Sequence, residues 1–356
     1  MHQHISDSFH SSFRLPAEWE KQSFVLLTLP HSGTDWCEQL DEVASYYRAL
    51  ISSITPYEQV VAMAEDMKLA QEITSGISNI QIIECPTNDT WSRDHGFLTC
   101  VNGKECFFLD FQFNGWGLKF PANHDNQINK RLWDSGKLEG RYVNCLDFVL
   151  EGGSIESDGK GTILTTSQCL LSHNRNEMSK DELTERLQHY FNASHILWLD
   201  HGHLSGDDTD GHIDTLARLC PNNTIAYVEC CDSSDSHYAE LSLMQEELQQ
   251  FKNADGTPFR LVGLPMADAI IEDGERLPAT YANFLIINGA VLCPTYGQPS
   301  NDQSALSKLQ EIFPNRDIIG IDSRVLIRQH GSLHCSTMQF PENALNSVNS
   351  VAITHK

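Results

Sequence analysis

The chain has 356 residues, enough for one large domain or two and for a substantial buried core. Acidic side chains outnumber basic ones 48 to 24, and the resulting charge of −24 argues against a phosphate-binding nucleic-acid surface while favouring small cations. No apolar run approaches membrane-spanning length and residues 1–7 lack the basic and apolar regions of a signal peptide, so a soluble, cytoplasmic protein with no membrane partner is expected.

In chain order, short apolar runs rich in β-branched residues predict strands at 23–29, 59–63, 80–84, 97–101, 106–109 and 162–165. Further strands are predicted at 195–199, 224–228, 259–263, 284–287, 290–293 and 318–321. Amphipathic spacing predicts helices over 37–52, 68–75, 179–191, 238–251 and 302–312. Ser179 with Glu182 forms a capping box, and Asn301 is placed to cap the last helix. Roughly one helix and three strands recur every 50–70 residues, as repeat or propeller architectures require; an ordinary α/β domain with one mixed sheet is the alternative. No linker or low-complexity tract divides the chain, so residues 1–356 are expected to form a single unit.

Eleven cysteines are scattered without a Cys-x-x-Cys pair, and no His-Glu-x-x-His motif occurs, so no metal is expected. Most of these thiols suit buried positions in a reduced protein. Cys335 stands in Gln329-His-Gly-Ser-Leu-His-Cys335. A cysteine attacks only as its thiolate and so needs a base, a cation or a backbone dipole nearby. On composition alone a buried structural thiol is the default, and on an extended strand the adjacent His334 would face away from it.

His212 is the better base. In Asp207-Asp-Thr-Asp-Gly-His-Ile-Asp214 it stands among carboxylates, and a strand over 211–218 would turn His212 and Asp214 to one face. A polar loop whose aspartates act as caps is the competing reading. Asp94, in Trp91-Ser-Arg-Asp94, could hold a guanidinium or amidinium by two hydrogen bonds beside an aromatic wall, unless an Arg93–Asp94 ion pair merely fastens a turn. Trp116 lies in a glycine-bearing aromatic loop that fits either a pocket rim or a tight bend. Glu151 follows an apolar run and precedes Gly152-Gly153; a carboxylate there could fix a histidine tautomer, and the glycines permit close backbone approach.

The order Trp91-x-Arg-Asp94, Phe113-Asn-Gly-Trp-Gly117, Glu151-Gly-Gly, Asp208-Thr-Asp-Gly-His-Ile-Asp214, Asn283 and His334-Cys335 closely resembles the agmatine deiminase and bacterial peptidylarginine deiminase family. Arg14-Leu-Pro-Ala-Glu-Trp-Glu20 resembles the family's opening. The resemblance implies an α/β pentein fold, a five-bladed propeller of ββαβ modules about a pseudo-fivefold axis. It also implies hydrolysis of a guanidino group to a ureido group with ammonia release and no cofactor. Agmatine, giving N-carbamoylputrescine, is the first substrate candidate; a peptidylarginine deiminase, an amidinotransferase or a non-catalytic guanidine-binding protein are alternatives.

By the same resemblance Cys335 would be the nucleophile, His212 the acid/base, and Asp94 and Asp214 the grips on the guanidinium. Glu151 would orient His212, and Asn283 would lie near the thiol. Trp91 and Trp116 are expected at the substrate, with Asp207 or Asp208 near a distal ammonium. Arg93, Lys119, Arg175 and Arg218 are the only cations beside these motifs, too few to suggest a site for a substrate carboxylate. A homo-oligomer is left open.

Overall fold

The computed structural model describes residues 13–346, so the N-terminal residues considered above for targeting lie outside it. Along the chain, β1 (Gln22–Thr28), β2 (Gln59–Ala64) and β3 (Ile80–Glu84) run parallel, joined through helices Leu40–Ile54 and Met67–Thr74. Three sheets of identical plan follow: β4 (Leu98–Asn102), β5 (Glu105–Gln112), β6 (Arg141–Val149); β7 (Ile155–Ser157), β8 (Thr162–Thr166), β9 (His195–Leu199); and β10 (Ala217–Cys220), β11 (Thr224–Glu229), β12 (Arg260–Pro265). In each, the first two strands pair antiparallel and a helical crossover returns the chain to a parallel third strand. After a small hairpin of β13 (Ile271–Glu272) and β14 (Glu275–Arg276), β15 (Leu285–Ile287), β16 (Ala290–Thr295) and β17 (Asp317–Asp322) repeat the plan. The last strand, β18 (Thr337–Pro341), pairs antiparallel with β1 and supplies the partner the first sheet otherwise lacks.

The fold is therefore α/β with five small mixed sheets, not one large mixed sheet. Helix Leu40–Ile54 shows why the modules pack: Val43, Tyr46, Tyr47, Leu50, Ile51 and Ile54 recur at helical spacing and all are buried. The Ser179–Glu182 capping box forms as expected. Asn301 does not cap the last helix, which starts earlier, at Pro299; its missing N–H suits the first turn. Asn301 instead donates to Gln298 Oε1 at 3.0 Å, while Asp302 accepts from the backbone N–H groups of Tyr296 and Gln298.

Strands β6, β7, β10, β13, β14 and β18 are not among those expected from sequence. Charged residues that find buried partners disguise two of them: Arg218 in β10 pairs with Glu156 in β7, and both side chains are essentially inaccessible. The loops leading into successive sheets carry the residues of interest. Asp94 precedes β4, Gly152 and Gly153 precede β7, His212 and Asp214 precede β10, Asn283 precedes β15, and Cys335 precedes β18. Equivalent positions in five modules thus bring their side chains together.

The β1–β18 pairing that joins the two ends of the described chain is packed by Phe24 and Phe340, whose stacked rings lie 4.2 Å apart with no exposure. Phe340→Ala is expected to lose about 3–5 kcal/mol of stability through the cavity it leaves. Urea unfolding measures this, and an unchanged midpoint would show that the closing strand contributes little.

Candidate active site

Cys335 lies in a turn just ahead of β18, with Thr337 N donating to the His334 carbonyl. Asn283 holds that turn: its Oδ1 accepts from His334 N at 2.8 Å and Cys335 N at 3.2 Å, and its Nδ2 lies 3.3 Å from Sγ. Burial pushes the Cys335 thiol well above its ordinary range, and the carboxylates of Asp214 and Asp94 push it further.

His212 and Asp214 do share an orientation, but not through strand alternation. They bracket Ile213 in a 3-10 turn, Ile213–Thr215, and β10 begins only at Ala217. His212 Nδ1 is 3.5 Å from Asp94 Oδ1 and Nε2 is 3.9 Å from Glu151 Oε2. Both ring nitrogens are buried without a hydrogen-bond partner. Burial alone would lower the His212 pKa; Asp94 and the Cys169 thiol overcome it and hold the imidazole well above its usual value. Gly153 is required at the centre, because a Cβ there would stand 2.7 Å from both Asp94 Oδ1 and His212 Nδ1. Its N–H donates to Asp94 Oδ1 at 3.1 Å.

Asp94 also accepts from Trp116 Nε1 at 2.9 Å. Trp116 and Leu118 both adopt left-handed backbone, at φ 56° and 68°, a conformation costing about 1–2 kcal/mol for each such residue. Asp94 is pushed up to about 6, chiefly by burial and in part by Asp214 and Glu151. Asp214 behaves oppositely: burial would raise it, but the His334 hydrogen bond and charge pull it below the usual carboxylate range. Asp214 Oδ1 is buried and unpartnered.

Glu151 is fully buried and grips Arg175 through both oxygens, at 3.0 and 2.9 Å from Nε. Burial would raise its pKa, yet Arg175 and then His212 bring it down to about 2. The same guanidinium reaches Asp210 Oδ2 at 2.7 Å and the Thr209 carbonyl at 2.8 Å, tying the 207–210 loop to Glu151. Asp207 accepts from the N–H groups of Thr209 and Gly211, so it shapes this loop.

A pocket of about 140 Å³ exposes Cys335, Asp94, Trp91, Trp116 and Asp208, and its wall also includes Asp35 and Asp89. Gly331 lets the pocket wall close on Trp91, whose ring would lie about 2.2 Å from any Cβ there. His212, Asp214, Glu151 and Asn283 do not line that pocket and are completely buried. The alternative Arg93–Asp94 pair does not form: Arg93 turns to Glu18 at 3.1 Å and to Gln339. Lys119 and Arg218 likewise have carboxylate partners, and none of the four cations lines the pocket.

Sequence reasoning did not single out Glu18, Glu156 or Cys169. Their only signal was a charged residue within or beside an apolar strand run. Among the described residues, Glu151–Cys169–His212 and Glu18–Glu156–His334 bring ligand-type atoms within 4.8 Å of one another. A guanidinium already occupies the acidic side of each group, Arg175 on Glu151 and Arg218 on Glu18 and Glu156. That positive charge opposes a metal ion in either place. No helix of the described residues is long and apolar enough to cross a membrane.

An α/β chain of this plan, with a thiol and carboxylates at an acidic pocket and an imidazole buried behind them, has the make-up of a pentein-type deiminase. The family model of Porphyromonas-type peptidyl-arginine deiminase matches residues 14–341, and the chain belongs to that family of enzymes. A Marinomonas sp. protein described as "Putative agmatine deiminase" is 33% identical, over 93% of this chain and 95% of its own. The structure of a C. jejuni agmatine deiminase variant with substrate bound is 39% identical at a TM-score of 0.87, covering 93% of this chain and 97% of that one. That of a Porphyromonas gingivalis protein described as "Putative Arginine Deiminase" is 47% identical at a TM-score of 0.89, covering 94% and 100%.

Arg175→Met is expected to cost about 3–5 kcal/mol, since it strands Glu151 as an uncompensated buried charge. Denaturant unfolding of the variant checks this. A loss within 1 kcal/mol of zero, about the size of an exposed pair, would contradict it.

Proposed function

We propose that this protein hydrolyses the guanidino group of a small cationic substrate, agmatine foremost, to a ureido group with release of ammonia. The observation that carries the substrate is the pocket beside Cys335: Asp35, Asp89, Asp94 and Asp208 line it, and no Lys or Arg does. A guanidinium and a distal ammonium both suit that wall, whereas the carboxylate of arginine would meet four aspartates and neither Lys nor Arg. Small size and two positive charges favour agmatine.

In this reading Asp94 and Asp214 take the guanidinium nitrogens, with the free Oδ1 of Asp214 as one acceptor. Docking neutralises the two carboxylates that raise the Cys335 pKa, so the thiol loses its proton to water when substrate is present. The thiolate then forms a sulfur–carbon bond to the guanidinium carbon. His212, held as the imidazolium, protonates one nitrogen, and that carbon–nitrogen bond breaks to release ammonia. Water adds to the resulting thiouronium and gives its proton to His212. The sulfur–carbon bond breaks and the remaining hydroxyl proton passes to solvent, returning thiolate and the ureido product. Trp91 and Trp116 wall the cation, Glu151 positions His212, and Asn283 holds the turn that presents the thiol. Neither a metal nor an organic cofactor has a part in these steps.

The same proposal takes the five modules as blades about a pseudo-fivefold axis, with the whole chain acting as one cytoplasmic catalytic unit that may be tested for self-association by sedimentation. The mutual contacts of Asp94, Glu151, His212, Asp214, Asn283 and Cys335, drawn from five loops, support this arrangement.

Ammonia release is expected from agmatine with a higher kcat/KM than from arginine or a peptide ending in arginine. Cys335→Ala should abolish it without unfolding the protein, and rapid-quench mass spectrometry should find the substrate's carbon on Cys335. Preference for either arginine compound would overturn the substrate, and an active Cys335→Ala would overturn the nucleophile.

The pH profile offers a separate check. Asp94 must be charged to hold the guanidinium, and its pKa is raised to about 6. As pH falls through about 6 the carboxylate takes up a proton, so kcat/KM is expected to drop on that limb. A profile flat between pH 5 and 7 would remove Asp94 from the binding step.

A further inference from the structure

The residue beside the thiol has a separate place in the site. His334 is buried and absent from the pocket wall, where Cys335 appears. Its Nδ1 lies 2.7 Å from Asp214 Oδ2. An imidazole nitrogen that close to a carboxylate oxygen carries the proton and donates. Asp214 therefore has one oxygen occupied from behind, while Oδ1 remains buried and unpartnered. Cys335 Sγ is 3.9 Å from the occupied oxygen.

On its other edge His334 meets a buried ionic cluster. Nε2 is 3.0 Å from Arg218 Nη2 and 2.9 Å from Glu18 Oε1. Arg218 also binds Glu18 and Glu156, and Arg93 binds Glu18 at 3.1 Å. Burial, Arg218 and Arg93 lower the His334 pKa. Nε2 lies between a donor, Arg218, and an acceptor, Glu18, whereas Nδ1 faces the Asp214 carboxylate and carries the proton there. Its backbone N–H is fixed as well, by Asn283 Oδ1. The ring is thus clamped on three sides and has one donor left, aimed at Asp214.

We propose that His334 is a positioning residue for substrate binding: its Nδ1–H locks the Asp214 carboxylate by Oδ2, so that Oδ1 is presented to the guanidinium. The proposal rests on the reading of Asp214 as a guanidinium grip. Glu18 and Arg218 act one step further back, by holding the Nε2 edge and with it the orientation of the ring.

Two substitutions separate the edges of the ring. Asn places an amide N–H near the position of Nδ1, whereas Gln reaches toward Nε2 and leaves Asp214 without its donor. His334→Asn is expected to keep kcat/KM for agmatine within a few-fold of wild type. His334→Gln should lose about 10–100-fold, the worth of one hydrogen bond to a charged group, expressed mainly as a higher KM. Equal activity of the two variants, or a greater loss in Asn than in Gln, overturns the proposal. So does a loss in Gln confined to kcat.

Nitrogen-15 chemical shifts of His334 in the wild-type protein need no variant to fold. They are expected to show a protonated Nδ1, and a bare Nδ1 overturns the proposal. Wild-type protein that releases no ammonia from any guanidine would instead defeat the reaction reading, a result that these shifts do not depend on.

Discussion

Five carboxylates are packed into the buried centre of this protein, and their mutual repulsion is the constraint from which the rest of the site follows. Asp94, Glu151 and Asp214 surround His212, with Glu18 and Glu156 behind them. Carboxylates removed from water ionise only if cations or donors face them. Arg175 serves Glu151, Arg218 serves Glu156 and Glu18, and Arg93 serves Glu18. Asp94 and Asp214 have no guanidinium of their own; they receive a tryptophan, a backbone N–H and a histidine. The protein gives every carboxylate of this group an internal guanidinium except the two nearest the thiol. A positively charged substrate completes that balance.

The same imbalance bears on the proposed nucleophile. Burial and the carboxylates of Asp214 and Asp94 raise the Cys335 pKa, so in the proposed reading the thiol keeps its proton until a cation binds. Reactivity then depends on the charge of what binds. A neutral molecule of similar shape would leave the thiol protonated, which gives a physical basis for selecting cations before any contact to the distal end is made.

Holding five carboxyl groups this close together demands a rigid frame, and the repeated modules provide it. Asp94, Glu151, His212, Asp214, Asn283 and Cys335 each sit a few residues ahead of a strand, so the backbone of each is anchored by a ladder that begins nearby. The frame also spans the sequence: Cys335 owes its position to β18, and β18 is anchored by β1 near the other end of the chain. Glu18, just before β1, returns to the His334 and Arg218 cluster. Loss of pairing between the two ends would therefore disturb the thiol and the ionic cluster together.

Much of this was legible in the residues. The alternation of short β-branched runs with amphipathic helices marked an α/β repeat, because strand and helix periodicities are local properties. The motifs around Asp94, Glu151, His212 and Cys335 marked the chemistry, because acid, base and thiol must be present whatever the fold. Strands β7 and β10 were not legible: Glu156 and Arg218 look like surface charges until each is seen as the other's buried partner. The common orientation of His212 and Asp214 came from a 3-10 turn that no periodicity announces. Arg93 chose Glu18 over its neighbour Asp94, and His334 turned to Asp214, through contacts separated by 75 and 120 residues. The sequence by itself determined which groups exist and which elements carry them. Which carboxylate keeps a cation and which is left for substrate was decided only by tertiary structure, since pairing of buried charges depends on distances between loops remote in the chain.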